Sequence, residues 1–82
     1  MVYVYIIKSL KDDSYYIGHT SDLNKRIAEH NRGKSKYTKA KKPWHLVHRE
    51  IYNIRKDAMQ RESDIKKQKS RIYIEKLIKN GK

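Results

Sequence analysis

An α+β fold, a three-stranded antiparallel sheet flanked by helices in the order ββαβαα, follows from three observations on the sequence. The chain opens on an unbroken β-branched and aromatic run. Turn chemistry and a second short β-rich run follow directly, and later segments carry apolar residues at helical spacing. With 82 residues there is room for one core, so a single domain over 1–82 is expected. A domain of this size buries only about 60–65% of the surface its unfolded chain exposes.

Val2 to Lys8 places Val2, Val4 and Ile6 on one face and Tyr3, Tyr5 and Ile7 on the other, the mark of a strand covered on both sides. Lys11 to Ser14 is a turn and Tyr15 to Gly18 resumes β character, which together make a hairpin. Ser21 or Asp22 caps a helix from Leu23 to Asn31, and Gly33 stops it. Arg32 to Arg49 begins as a loop punctuated by Gly33, Ser35 and Pro43, with Trp44 a core residue at the mouth of a third strand, His45 to Tyr52. Asn53 is the expected cap of a second helix, Ile54 to Gln68. Ser70 caps a last helix whose buried stripe is Ile74, Leu77 and Ile78, ending at Asn80 and Gly81.

Lys and Arg number 21 against 9 Asp and Glu, a formal net charge of +12, and this calls for a polyanionic partner. The cations are spread through folded segments with no single basic amphipathic face, which favours nucleic acid over an anionic membrane. The densest patch is Lys34, Lys36, Lys39, Lys41 and Lys42, with Tyr37 among them, a mixture suited to phosphate neutralisation and base stacking. There is no cysteine, which removes disulfides and thiolate metal sites, and the expected compartment is the cytoplasm. No apolar run reaches the roughly 18 residues of a membrane span, and no membrane association is expected.

Charges also fall on faces where apolar residues belong. At about 100° per residue, Leu23, Arg26, Ile27 and His30 share one side of the first helix, and Ala58, Glu62 and Ile65 share one side of the second. Burying a charge unpaired costs several kcal/mol, so each group needs a counter-charge, a metal ion or a wet cleft. The plain structural alternative is an Arg26–Glu62 salt bridge with His30 at a half-exposed edge. The functional alternative adds Tyr5 and Tyr16, near neighbours on the hairpin, so that two phenols, a guanidinium and a carboxylate converge on one surface. A lone hard carboxylate suits one Mg²⁺ ion that keeps most of its water, a guanidinium suits phosphoryl charge, and a phenol beside cations suits activation of a water.

Tyr3-Val4-Tyr5, then ten residues, then Tyr16-Ile17-Gly18, followed by the D-L-x-x-R-x-x-x-H run ending in Arg26 and His30, resembles the GIY-YIG nuclease superfamily. The likeness covers nearly the whole chain and looks most like the short single-domain bacterial members. The first triplet reads Tyr-Val-Tyr where the family name has Gly-Ile-Tyr, while its functional tyrosine is present as Tyr5. Lys36-Tyr37-Thr38 and Pro43-Trp44 also resemble the structure-selective branch of the superfamily.

The resemblance implies a divalent-metal-dependent endonuclease that hydrolyses phosphodiester bonds in DNA, selecting structure over sequence. It implies that Tyr5 and Tyr16 line the cleft, with Tyr5 helping to activate water, and that Arg26 stabilises the phosphorane-like charge. It further implies that His30 assists proton transfer or positions the phosphate, and that Glu62 holds a single Mg²⁺ or Mn²⁺. Asn31 and Tyr37 are candidate contacts to the scissile strand, and Lys34, Lys36, Lys39, Lys41, Lys42, Lys66 and Lys67, with Lys69, would grip the backbone. Members usually carry separate DNA-targeting domains, so a protein partner supplying substrate targeting is one expectation. The competing reading is a non-catalytic nucleic-acid-binding module, or a nuclease subunit silent without its partner. A structural basic protein would explain the charge and not Glu62.

Overall fold

The opening run Val2–Ser9 is strand β1, and it lies at the centre of the sheet, hydrogen-bonded antiparallel to β2 (Tyr15–Thr20) on one side and β3 (Trp44–Tyr52) on the other. The computed structural model describes residues 1–81. Helix α1 (Leu23–Asn31) follows β2, a single 3₁₀ turn (Lys39–Lys41) interrupts the basic loop, and α2 (Arg55–Gln68) and α3 (Arg71–Asn80) follow β3. The predicted α+β order and antiparallel sheet are thus observed.

The two faces of β1 are both covered, as its composition predicts. Val2, Val4 and Ile6, joined by Ile17 of β2, pack under α2 and α3 against Ala58, Ile65 and Ile74. On the other face, Tyr5 and Ile7 pack with Leu23 of α1 and Trp44. A bulge lets β3 serve both faces: Ile6 opposes His48 and Ile7 opposes Leu46, so Val47 is the extra residue.

Local signals account for most element ends. Asp22 accepts the Lys25 N–H at the start of α1, and Ser70 accepts the Tyr73 N–H at the start of α3. Gly33, at φ 80°, closes α1 with the paired Gly33 N–H to His30 and Lys34 N–H to Glu29 carbonyl bonds that a left-handed residue permits. The expected Asn53 cap is not used. Ile54 occupies that position in extended conformation with no side-chain bond, and α2 begins at Arg55, one residue later than the sequence suggested. Strand β2 runs on to Thr20, and β3 starts already at Trp44.

Beneath α2 and α3 lies a charged clamp. His48, Glu50 and Tyr52 alternate on β3 and so share a face; Glu50 takes Arg61 Nε at 2.8 Å and Nη2 at 3.1 Å, the Tyr52 hydroxyl at 2.7 Å and His48 Nε2 at 2.9 Å. Burial alone would raise the Glu50 carboxyl, but Arg61, His48 and Tyr52 overrule it and hold it down to about 2. A depressed carboxyl stabilises the fold above its unfolded pKa and stops doing so as pH falls through the folded value. Glu50→Gln is therefore expected to cost roughly 2 kcal/mol at neutral pH in urea unfolding. That deficit should shrink as pH falls below about 4.5 and vanish near about 2. A deficit unchanged at acid pH would show that shape, not charge, is what Glu50 contributes.

Candidate active site

In an antiparallel pair, directly opposed residues point to the same face. Tyr5 opposes Gly18 and Ile7 opposes Tyr16, so both tyrosines point toward α1, with ring centroids 6.4 Å apart. The Tyr5 ring lies across Gly18: a Cβ there would stand 2.6 Å from the Tyr5 hydroxyl oxygen. Glycine is required at this position for space.

His30 is fully buried, 0% exposed. Its Nε2 is 2.8 Å from the Tyr5 hydroxyl and its Nδ1 is 2.7 Å from the Thr38 hydroxyl, itself buried. The half-exposed edge that sequence spacing allowed for His30 is not what forms, because the basic loop folds back over the end of α1. Trp44 Nε1 donates to the Thr38 carbonyl at 2.9 Å, and the Asn31 amide bonds both the N–H and the C=O of Trp44. Asn31, half-buried, thus uses its amide to hold the loop. Burial, with Arg26 adding to it, pushes His30 down to about 4, so the ring is neutral at physiological pH.

Burial likewise pushes the Tyr5 phenol up to about 12, against the pull of the neighbouring Arg26 and with Tyr16 and Glu62 adding to the rise. Tyr5 is 1% exposed, whereas Tyr16 is half-buried and lies edge-on to His30 at 5.0 Å. Arg26 donates to Glu29 at 3.1 Å.

Glu62 reaches this cluster from the opposite layer. It stands on α2 with Ala58 and Ile65, both buried, on the inward stripe as predicted. Its partners are His19, whose Nδ1 is 2.6 Å from Oε1, and Lys66, whose Nζ donates to Oε2 at 2.6 Å. The Arg26–Glu62 bridge therefore does not form: each group finds a partner in its own layer, because the sheet separates α1 from α2. Nor do the four groups share one surface. Tyr5, Tyr16 and Arg26 with His30 occupy the α1 side, and Glu62 meets them across the edge strand β2, near enough for its charge to act on Tyr5. Burial by itself raises the Glu62 carboxyl; Lys66 and His19 more than cancel that and keep it ionised.

Sequence reasoning missed His19, Glu29 and Thr38. His19 had a signal, since the alternation of β2 places it with Ile17 on the α2 face, the face to which Glu62 points. Thr38 had none, because only the folded loop brings it to His30.

Among the described residues no group of three or more His, Asp and Glu side chains is placed to hold a metal. One ionised, half-buried carboxylate fits a single hard divalent ion that keeps most of its water, and does not fit a closed all-protein cage. Glu62 meets that description, and Lys66, half exposed, is the cation that an incoming ion would have to displace.

In the basic loop, Tyr37 is 86% exposed and Lys34, Lys36, Lys39 and Lys42 are exposed. Lys36, Lys39 and Lys42 share an open groove of about 420 Å³ with Lys11 of the hairpin turn. Lys41 instead pairs with Asp12 at 3.3 Å.

Residues 1–78 match the GIY-YIG catalytic domain, and the chain belongs to that family, a family of nucleases. Within it the chain is similar to the UPF0213 proteins. That of Staphylococcus aureus strain Mu3 is 46% identical over 65 residues, 78% of each chain, and that of strain N315 gives the same figures. The solution NMR structure of a UPF0213 protein from Bacillus halodurans, 38% identical, superimposes with a TM-score of 0.59 over 99% of this chain and 87% of the other.

Two expectations follow from this packing. The His30 ring should stay neutral in NMR titration down to about pH 5, with the fold losing stability as pH falls from about 6.5 toward about 4, since the unfolded state takes up that proton first. A ring that titrates with an ordinary midpoint would mean it is not sealed in. Gly18→Ala should destabilise the protein by about 1–3 kcal/mol in urea unfolding through overpacking against a phenol that has nowhere to move. A wild-type midpoint would show that the Tyr5 ring yields freely.

Proposed function

We propose that the protein is a Mg²⁺- or Mn²⁺-dependent endonuclease that hydrolyses DNA phosphodiesters and selects structure in preference to sequence. The observation that carries this reading is the meeting of Tyr5, Tyr16, Arg26 and His30 with the ionised Glu62 across β2, within a nuclease family.

The geometry is consistent with the roles that the family resemblance implies. Arg26 is a fixed cation beside the two phenols, suited to the charge that develops on a phosphoryl group under attack. Tyr5 is the phenol with a proton acceptor behind it. Burial disfavours a free phenolate at neutral pH, so Tyr5 would take a proton from water while passing its own to the His30 ring, whose other nitrogen is paired with the Thr38 hydroxyl. The water oxygen then bonds to phosphorus as the bond to the leaving oxygen breaks. Tyr16, less buried, faces the substrate. Glu62 would hold the ion, which when bound would supply Lewis acidity and positive charge to the phosphoryl centre.

The exposed loop residues Lys34, Lys36, Tyr37, Lys39 and Lys42, together with Lys66 and Lys67, grip the backbone, and Lys41 joins them by releasing Asp12. A protein partner that directs the domain to its substrate suits a chain whose contacts are to backbone. One observation favours a second reading, a binding module that does not cut: both Glu62 oxygens are already satisfied within the protein.

Cleavage of single-stranded, duplex, nicked, flapped and branched DNA, with and without Mg²⁺ or Mn²⁺, decides between them. Wild type should cut only with metal. Glu62→Gln should not cut, while binding DNA as tightly or more tightly. Arg26→Ala should lose about 10²–10³ in kcat with a smaller change in affinity. Equal activity in Glu62→Gln removes the metal role; no cutting of any substrate, with salt-steep binding, assigns the binding module.

A further inference from the structure

We propose that the open groove beside Glu62, about 450 Å³ in volume, seats one unpaired nucleotide of the substrate strand. This rests on the reading that places the scissile phosphate at Glu62. The volume falls within the range of about 300–1,000 Å³ found for small-ligand clefts.

Three features of the lining choose the occupant. The first is Met59, one helical turn before Glu62, which is 51% exposed on a helix otherwise dominated by charged and polar residues. An exposed thioether is a soft, polarisable surface that suits the face or edge of an aromatic ring. The second is His19, which lines the same groove and whose ring is held in place by its bond to Glu62. A ring already oriented loses little freedom when a base settles against it. The third is charge: Lys66, Lys67 and Lys69 border the groove, while Glu62 is its one carboxylate. A purely apolar ligand would not need the lysines, and a bare phosphate would not need Met59. A nucleotide needs both, with its base between Met59 and His19, Ser63 at hand for a polar edge, and its phosphates on Lys67 and Lys69.

The nucleotide must be unpaired, because a base in a duplex is stacked above and below and presents only its edges. A paired strand can offer this groove its backbone and nothing for Met59 to touch. The seat is therefore a physical source of structure selectivity, favouring single strands, flaps and frayed ends.

The test is binding, read by fluorescence anisotropy in chelator, so that no cleavage intervenes. Labelled single-stranded DNA and the blunt duplex of the same length are compared on wild type, Met59→Ala and Met59→Phe. Met59→Ala should weaken single-strand binding about fivefold or more, with duplex affinity changed by less than about twofold, and Met59→Phe should restore it. Equal loss on both DNAs, loss on the duplex alone, or no loss on either overturns the seat. The two readings fail separately. A single-strand effect without metal-dependent cutting keeps the seat and removes the nuclease, whereas metal-dependent cutting without the effect removes only the seat.

Discussion

The chain of hydrogen bonds Tyr5–His30–Thr38 is the constraint on which the site depends. All three groups are buried, and a buried polar group left without a partner costs about 1–3 kcal/mol, a serious loss in a domain this small. Each one is satisfied by the next, so a residue of β1, one of α1 and one of the basic loop can take up their places only together. Trp44 and Asn31 complete the joint from the side of β3. Because every buried side-chain nitrogen and oxygen among the described residues has a partner, the network rigidifies the cleft instead of straining it.

That joint also sets the chemistry of its members. Water is excluded from both His30 and Tyr5, so the histidine is kept from charging and the phenol from ionising, in opposite senses on the pKa scale; Arg26 adds to the first effect and opposes the second. A neutral imidazole against an intact phenol is a pair that satisfies both groups by one hydrogen bond with no charge to solvate. Gly18 belongs to this economy of space, since its missing side chain is what lets the Tyr5 hydroxyl extend toward β2.

The other half of the site is electrostatic. A chain of net charge +12 keeps a half-buried carboxylate ionised by setting Lys66 on one of its oxygens and the His19 ring on the other. The pairs are short but partly solvated, and the lysine is half exposed, so exchange with another cation is cheap compared with breaking a sealed ion pair. The Glu50 clamp is the contrasting case: a carboxylate with Arg61, His48 and Tyr52 around it, built into the joint between β3 and α2, fixes structure and offers no free side to a ligand.

The sequence by itself determined the elements and the faces. The two-residue period of Val2–Lys8 and the helical spacing of Leu23, Arg26, Ile27 and His30 reflect local backbone geometry, and local geometry is what periodicity reports. It also determined which residues were out of place, since a charge on an apolar stripe is visible without coordinates. Asn53 was misread because a cap depends on where the helix axis starts, and that was settled by the packing of α2 on the sheet. Only the tertiary structure decided the partners. The sheet stands between Arg26 and Glu62, so the attraction that their charges suggest is blocked and His19 and Glu29 take their places. Thr38, eight residues from His30 with a glycine turn between them, had no periodic relation to it. Faces follow from the geometry of each element alone; partners follow from how the elements are stacked, and the stacking is fixed by long-range burial.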